Sequence, residues 1–198
     1  MRLLLATTNP NKLKELRPAL HGVRVELVTL DAFPSVGEPP ETCETFWANA
    51  RDKAVAYSSE TGEIAVAEDS GLVIDSLGGE PGVRSARFLG PGVPYEERFA
   101  EIHRRLSGVD RGLWQARFVT ALAVADGARI LFETEAHVDG AIAPEPAGAN
   151  GFGYDPVFFY APAGKTLAEM SLDEKTSVSH RARAFRDLGA WLRIQSGV

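Results

Sequence analysis

Asp126-Gly127, set between two long apolar runs, constrains this chain more than any other feature. Residues 117–125 and 128–138 are rich in Ala, Val, Leu, Ile and Phe, and an Asp-Gly pair supplies the backbone angles of a tight hairpin turn. The chain must therefore hold an antiparallel strand pair. The rest of the pattern is of another kind. An apolar strand over 3–7 runs into Asn9-Pro10, a helix cap followed by the residue that favours the first helical position. Leu13, Leu16 and Leu20 continue at helical spacing, with Lys12, Lys14 and Glu15 facing elsewhere. Residues 23–27 alternate as a second strand, 33–40 read as loop, and 45–59 as a helix that buries Phe46, Ala50, Ala54 and Tyr57. A short strand over 64–67 runs into Glu68-Asp69-Ser70-Gly71, and strand character resumes over 72–74. Residues 78–94 read as an ordered loop rich in Gly and Pro, 95–106 as a third helix, 144–156 as loop, and 179–194 as a terminal helix with Phe185, Leu188 and Leu192 inward. Crossover strands and a hairpin together predict a mixed-sheet α/β domain.

Composition narrows the function. At 198 residues and 44% apolar content the chain is large enough to bury a core as one domain. A net charge of -6 opposes sequence-independent binding of nucleic acid, while leaving room for a local cationic pocket. No apolar run reaches membrane-spanning length, and the short apolar start reads as a buried strand rather than a leader. Cys43 is the single cysteine, which excludes an internal disulfide and fits a reducing compartment. The expectation is a cytoplasmic protein with neither nucleic acid nor membrane as partner.

Five clusters carry the chemistry. Thr7-Thr8-Asn9-Pro10-Asn11-Lys12 turns a strand into a helix. The free N–H groups and dipole of that first turn favour an anion, and Lys12 adds a full charge. A plain helix cap beside a solvated lysine accounts for the same residues, and the glycines of a Walker loop are absent. Glu68-Asp69 follows a buried strand, where adjacent carboxylates are costly unless neutralised. A hard cation such as Mg²⁺ neutralises them while keeping waters for phosphate exchange; an ordinary Asp-Ser-Gly turn is the alternative. Glu41, at a loop end, is a candidate second metal ligand. Asn49 and Lys53 lie four apart and share one helix face, although a cap at Thr42 or Thr45 and a surface Lys53 explain that stretch as well. In Gly151-Phe152-Gly153-Tyr154-Asp155-Pro156 two glycines let the backbone approach a flat ligand. Phe152 suits stacking on a base and Asp155 suits accepting base N–H groups. A loop whose rings plug the core is the competing account, stronger for Tyr154 than for Phe152. Lys175 and Ser179-His180-Arg181 gather donors near a helix start, or else mark a surface charge and a local hydrogen bond.

Taken in order, TTNPNK, ETCETFWANARDKA, EDSGL, LGGEPGVRSAR, GFGYDP and EKTSVSHRARA resemble the inosine triphosphate pyrophosphatase family from Leu4 to beyond Arg181. The resemblance implies an α/β fold: an elongated mixed β-sheet flanked by helices forming two lobes with an active-site cleft between them. It implies one pyrophosphatase domain over 1–198, Mg²⁺ as cofactor, a small-molecule nucleotide as substrate, and a homodimer. It assigns Thr7, Thr8, Asn9 and Lys12 to the triphosphate, Glu41 and Asp69 to the metal, and the role of base to Asp69 with Glu68 beside it. Lys53 then faces the phosphates and Ser70 touches substrate. Phe152, Gly153, Tyr154 and Asp155 form the base pocket, completed by Lys175, His180 and Arg181. Cys43 stands where relatives usually have glycine, Pro40 where many have a second acid, and Asn11 where glycine is frequent.

The implied reaction is water attack on the α-phosphorus of ITP, dITP or XTP, releasing pyrophosphate and removing deaminated purines from the nucleotide pool. Two rivals remain at this point. One is a related pyrophosphatase that prefers pyrimidine or modified nucleotides. The other is a non-catalytic nucleotide sensor, which would need the Thr7–Lys12 turn and Phe152 but neither Glu68 nor Asp69.

Overall fold

Strand β1 (Arg2–Leu5) forms where Leu3, Leu4 and Leu5 leave no polar side chain to solvate, and all three are buried. It ends at Ala6, where Thr7 and Asn9 begin to bond the backbone locally. The computed structural model describes residues 2–16 and 20–195. Helix α1 (Pro10–Leu16) follows, capped by Asn9, whose Oδ1 accepts the Asn11 N–H at 2.9 Å. The expected continuation of this helix over 17–19 lies outside the described residues, and Leu20 is buried.

The later elements are β2 (Glu26–Thr29), α2 (Phe46–Thr61), β3 (Ile64–Ile74), α3 (Tyr95–Leu106), β4 (Gln115–Asp126), β5 (Arg129–Ile142), β6 (Phe158–Tyr160), β7 (Lys165–Thr166), α4 (Leu172–Val178) and α5 (His180–Gln195). The seven strands form one sheet in the order β2-β1-β3-β4-β5-β6-β7. β1 runs parallel to β2 and β3, whereas β5–β6 and β6–β7 are antiparallel, so the sheet is mixed. The α/β class and the mixed sheet expected from the sequence are both present.

The chain folds into two compact units. The first comprises 1–69, 120–136 and 180–198. Its core joins Leu3 and Leu5 of β1, Leu122 and Val124 of β4, and Phe185, Leu188 and Leu192 of α5. The alanines of α2 (Ala50, Ala54) and β4 (Ala121, Ala123) pack in a second, smaller cluster. The second unit comprises 70–119 and 137–179. Its core is larger in side chain, with Phe99 and Ile102 of α3, Trp114, Phe118, Tyr154 and Phe158.

Three differences from the sequence reading matter. Residues 64–74 form one unbroken strand, so Glu68-Asp69-Ser70-Gly71 is not a turn at a strand end but the middle of β3. Gly71 gives no break because its neighbours on both sides already hold extended backbone. The second strand is shifted from 23–27 to Glu26–Thr29; Val23 and Val25 still pack on the core, which is why their alternation looks strand-like. Strands β6 and β7 and helix α4 carry no expectation from the sequence. The strands are three and two residues long, too short for periodicity to register. The two-residue link Gly127-Ala128 between β4 and β5 is the hairpin that Asp126-Gly127 announces.

Candidate active site

Neighbouring side chains of a strand leave opposite faces, so β3 sends Glu68 and Asp69 into different surroundings. Glu68 meets cations. Its Oε1 lies 2.7 Å from Lys12 Nζ and 3.1 Å from Arg181 Nε, and its Oε2 accepts the Thr120 hydroxyl at 3.0 Å. Glu15 Oε2 receives Arg181 Nη1 at 3.4 Å. Burial alone pushes the Glu68 carboxyl up, but Arg181 and Lys12 outweigh it and hold the group far below the usual carboxylate range. A carboxylate so strongly held is a poor proton acceptor at neutral pH.

Asp69 meets α2. Thr45 caps that helix, accepting the Ala48 N–H, and starts a face on which Asn49 and Lys53 stand one turn apart. Lys53 Nζ donates to Asp69 Oδ1 at 3.0 Å and to Glu41 Oε1 at 2.8 Å. Asn49 Nδ2 donates to Asp69 Oδ2 at 3.0 Å. The amide is itself fixed by Cys43, whose N–H donates to Asn49 Oδ1 and whose carbonyl accepts from Nδ2. Burial raises the Asp69 carboxyl; Lys53 opposes that, Glu41 adds to it, and the net direction is up. Lys53 is pushed down by burial, yet Asp69 and Glu41 leave it more firmly protonated than an ordinary lysine. Glu41 and Asp69 therefore share one cation between two carboxylates. That donor set suits Mg²⁺, which takes one or two protein carboxylates and completes its shell with water and phosphate oxygens.

The Thr7–Lys12 turn lies with the Glu68 cluster. Thr7 Oγ1 accepts the Asn9 N–H at 3.2 Å, and Thr8 is exposed. A pocket opens beside Thr7, Lys12, Ala67, Glu68 and Phe185. Ser70, next along β3, is half-buried.

The second group of expected residues is held by its own loop. Asp155 Oδ2 accepts the Phe152 N–H at 2.8 Å and Lys175 Nζ at 2.7 Å. Lys175 Nζ also lies 4.7 Å from the centroid of the Phe152 ring. Gly151 is required here, because at its φ of +74° a Cβ would come within 2.1 Å of Asp155 Oδ2. Gly153 follows at positive φ. Tyr154 is an anchor: its ring is buried in the core, edge-on to Tyr95 with centroids 5.2 Å apart, and its hydroxyl donates to the Ser85 carbonyl at 2.9 Å. Burial pushes its phenol up to about 12.

The structure thus brings together Thr7, Asn9, Lys12, Glu68 and Arg181 on one side of β3, Glu41, Lys53 and Asp69 on the other, and Phe152, Gly153, Asp155 and Lys175 in one loop-and-helix cluster. Arg181 departs from the sequence grouping. The motifs place it with Lys175 in the base pocket, but its guanidinium is engaged by Glu68 and Glu15, because the first turn of α5 belongs to the same unit as α1 and that part of β3. His180, beside it, is buried.

Two residues of these clusters escape the sequence reading, and a third is placed by it but given no role. Helical spacing turns Glu15 away from the core, yet it is buried opposite Arg181. Thr120 is a lone hydroxyl in an apolar strand, and that isolation is the available signal. Asn49 shares the face of Lys53 but has no role assigned by the motifs.

The Ham1 family profile matches residues 3–191. A protein of Symbiobacterium thermophilum named dITP/XTP pyrophosphatase is 47% identical, over 92% of this chain and 90% of its own. The solved structure of a HAM1 protein from Coxiella burnetii is 34% identical and superposes with a TM-score of 0.89, over 97% of this chain and 98% of that one. The crystal structure of a nucleoside-triphosphatase / dITP/XTP pyrophosphatase from Mycobacterium abscessus is 41% identical with a TM-score of 0.79, over 95% and 98%. These matches bear out the resemblance read from the sequence motifs. The chain belongs to the Ham1 family.

Proposed function

We propose that this chain hydrolyses the triphosphates of deaminated purines, ITP, dITP and XTP, to monophosphate and pyrophosphate. The names of its relatives support the substrate class, and the surroundings of Asp69 support the reaction. Asp69 is the one carboxylate of the β3 pair whose affinity for a proton is raised rather than suppressed. It takes the proton of a water whose oxygen bonds the α-phosphorus; the bond from that phosphorus to the bridging oxygen breaks, and pyrophosphate leaves with the electron pair. Lys53 and Asn49 fix the carboxylate by one contact to each oxygen. Glu68 acts as a positioning residue that holds Lys12 and Arg181 in place, while Thr7, Thr8, Asn9, Lys12 and Ser70 contact the phosphates.

Nucleotide pyrophosphatases of this family are metal-dependent. We assign Mg²⁺, with Glu41 and Asp69 as its protein ligands. Held there, the ion would supply positive charge against the triphosphate oxygens.

Base choice rests on Phe152, Gly153, Asp155 and Lys175, with Tyr154 anchoring their loop and His180 as a further donor. Asp155 accepts the ring N–H of a 6-keto purine, Lys175 donates to its 6-oxygen, and Phe152 stacks on the ring. Adenine offers a donor where Lys175 already donates, which leaves a buried polar group unsatisfied at a cost of about 1–3 kcal/mol.

The whole of 1–198 acts as a single domain in this reading. The family profile runs through both units, and β3, β4 and β5 each pass from one into the other. A homodimer working in the cytoplasm completes the proposal, with no nucleic acid or membrane partner; among the described residues no helix is long and apolar enough to cross a membrane.

The test is a product assay with Mg²⁺ and ITP, dITP, XTP, GTP, ATP and dTTP, run beside Asp69→Asn. Monophosphate plus pyrophosphate from the first three, and a dead variant, is the expected result. Release of orthophosphate would rule out attack at the α-phosphorus. Turnover confined to dTTP would move the protein to a pyrimidine-directed activity, and tight binding without turnover to a sensor.

A further inference from the structure

Arg98 is a buried cation that the reaction does not use. It stands on α3 at 3% exposure, and among the described residues no carboxylate pairs with it. Its Nε is buried without a hydrogen-bond partner among those residues. A guanidinium in that position is costly unless its remaining contacts require it. Those contacts are three carbonyls of one short segment. Nη1 donates to Ser85 O at 2.9 Å and Ala86 O at 2.8 Å, and Nη2 to Gly90 O at 3.4 Å. Ser85 and Ala86 lie in the 3-10 turn Gly82–Arg87, whose last carbonyls lack partners within the turn.

The clamped segment holds Leu89, the one described non-glycine residue with positive φ, at 66°. That left-handed conformation crowds a side chain against the backbone and persists only when the surroundings over-determine it. Arg98 grips the chain on both sides of it, at Ser85 and Ala86 before and at Gly90 directly after. The same Ser85 carbonyl also accepts the Tyr154 hydroxyl at 2.9 Å. The Arg98 guanidinium lies 4.8 Å from the centroid of the Tyr95 ring, which meets Tyr154 edge-on. A Cβ built on Gly153 would lie 3.7 Å from the Tyr95 hydroxyl. One cation therefore fixes both supports of residues 151–156: the carbonyl that receives Tyr154 and the ring packed against Tyr154 and Gly153.

We propose that Arg98 is a positioning residue for nucleobase binding, holding the 85–90 segment so that Tyr154 seats the loop bearing Phe152 and Asp155. The proposal rests on the reading of that loop as the base pocket. Its effect falls on recognition and leaves the Asp69 chemistry alone.

The experiment compares wild type, Arg98→Gln and Arg98→Lys by steady-state kinetics on dITP and dATP, and by hydrogen exchange of the 150–155 amides in the unliganded proteins. For Arg98→Gln the expected result is a KM for dITP raised about tenfold with kcat within about twofold, narrower dITP-over-dATP preference, and faster exchange at the Phe152 amide. Arg98→Lys keeps a charge that reaches fewer carbonyls and recovers part of each effect. A loss of kcat with KM unmoved, or unchanged KM with unchanged exchange, overturns the proposal. If the wild type fails to hydrolyse dITP, the base-pocket reading falls, and exchange alone decides: an unaltered 150–155 segment in Arg98→Gln removes the positioning role, while accelerated exchange keeps it.

Discussion

Two buried lysine–aspartate pairs sit in this molecule, and they are built to different balances. Lys175 Nζ meets one carboxylate oxygen of Asp155 at 2.7 Å, and the same oxygen takes a backbone N–H. Lys53 and Asp69 stand 3.0 Å apart, but Lys53 also serves Glu41, so two acids share one base. The first contact is closed in the sense that one acid meets one base there. In the second, burial and the neighbouring Glu41 carboxylate lift the proton affinity of Asp69, and two acids side by side invite a further cation. A closed pair presents a fixed donor and acceptor, the requirement for reading a base edge. An open one supplies a proton acceptor and metal ligands, the requirement for chemistry. Recognition and reaction thus draw on the same residue types, separated by charge count.

Asp69→Asn carries the largest expected effect. It keeps shape and a hydrogen-bond acceptor while removing the base, and kcat on dITP should fall about 10²–10⁴-fold with KM little changed. A variant retaining a tenth of wild-type kcat would return the base role to another group. Lys53→Met tests that sharing directly. Loss of the shared cation should lower kcat by about a hundredfold, since a positive charge beside the triphosphate and one hold on the Asp69 carboxylate are lost together. The same change should lower the Mg²⁺ concentration that gives half-maximal rate, because the two acids are freed for the ion. An increase in that concentration would mean Lys53 does not compete with metal at Glu41 and Asp69.

The closed pair predicts a smaller and different effect. Lys175→Met removes the donor expected at the 6-oxygen, so dITP should lose its advantage over dATP by about tenfold, in keeping with one buried hydrogen bond. The loss should appear in KM, measured for both substrates. An equal drop in kcat for both would place Lys175 in the chemistry and erase the distinction between the pairs.

These balances are only partly legible in the sequence. The motifs mark Glu68 and Asp69 together, and nothing in their adjacency says that a single strand turns them to opposite sides. Placing them at the end of a strand leaves them as neighbouring acids in one setting, whereas β3 gives Glu68 to Arg181 and Lys12 and Asp69 to α2. Helical spacing does join Asn49 and Lys53, since four residues on a helix make one face. Glu15 is hidden because its partner Arg181 lies 166 positions away, a pairing that local periodicity cannot carry. Tyr154 illustrates the reverse case. Its place in an aromatic loop leaves both stacking and core packing open, and burial beside Phe99 and Tyr95 decides for the core.

That anchor yields the mildest prediction, and it separates the two regions by pH. Tyr154→Phe removes one hydrogen bond to Ser85 O, but Arg98 still satisfies that carbonyl, so the cost near neutrality should be about 1 kcal/mol. The phenol, however, must stay neutral in the fold. With its pKa pushed up to about 12 by burial against 10.0 unperturbed, its contribution is complete below the unfolded value and is lost as pH rises toward the folded one. The loss across that window is on the order of 2–3 kcal/mol. Denaturation of both proteins at about pH 8 and about pH 11 should therefore show the wild-type advantage vanishing or reversing on the alkaline side. A constant difference would mean that Tyr154 ionises as readily folded as unfolded, and the closed region would then owe its seating to packing alone.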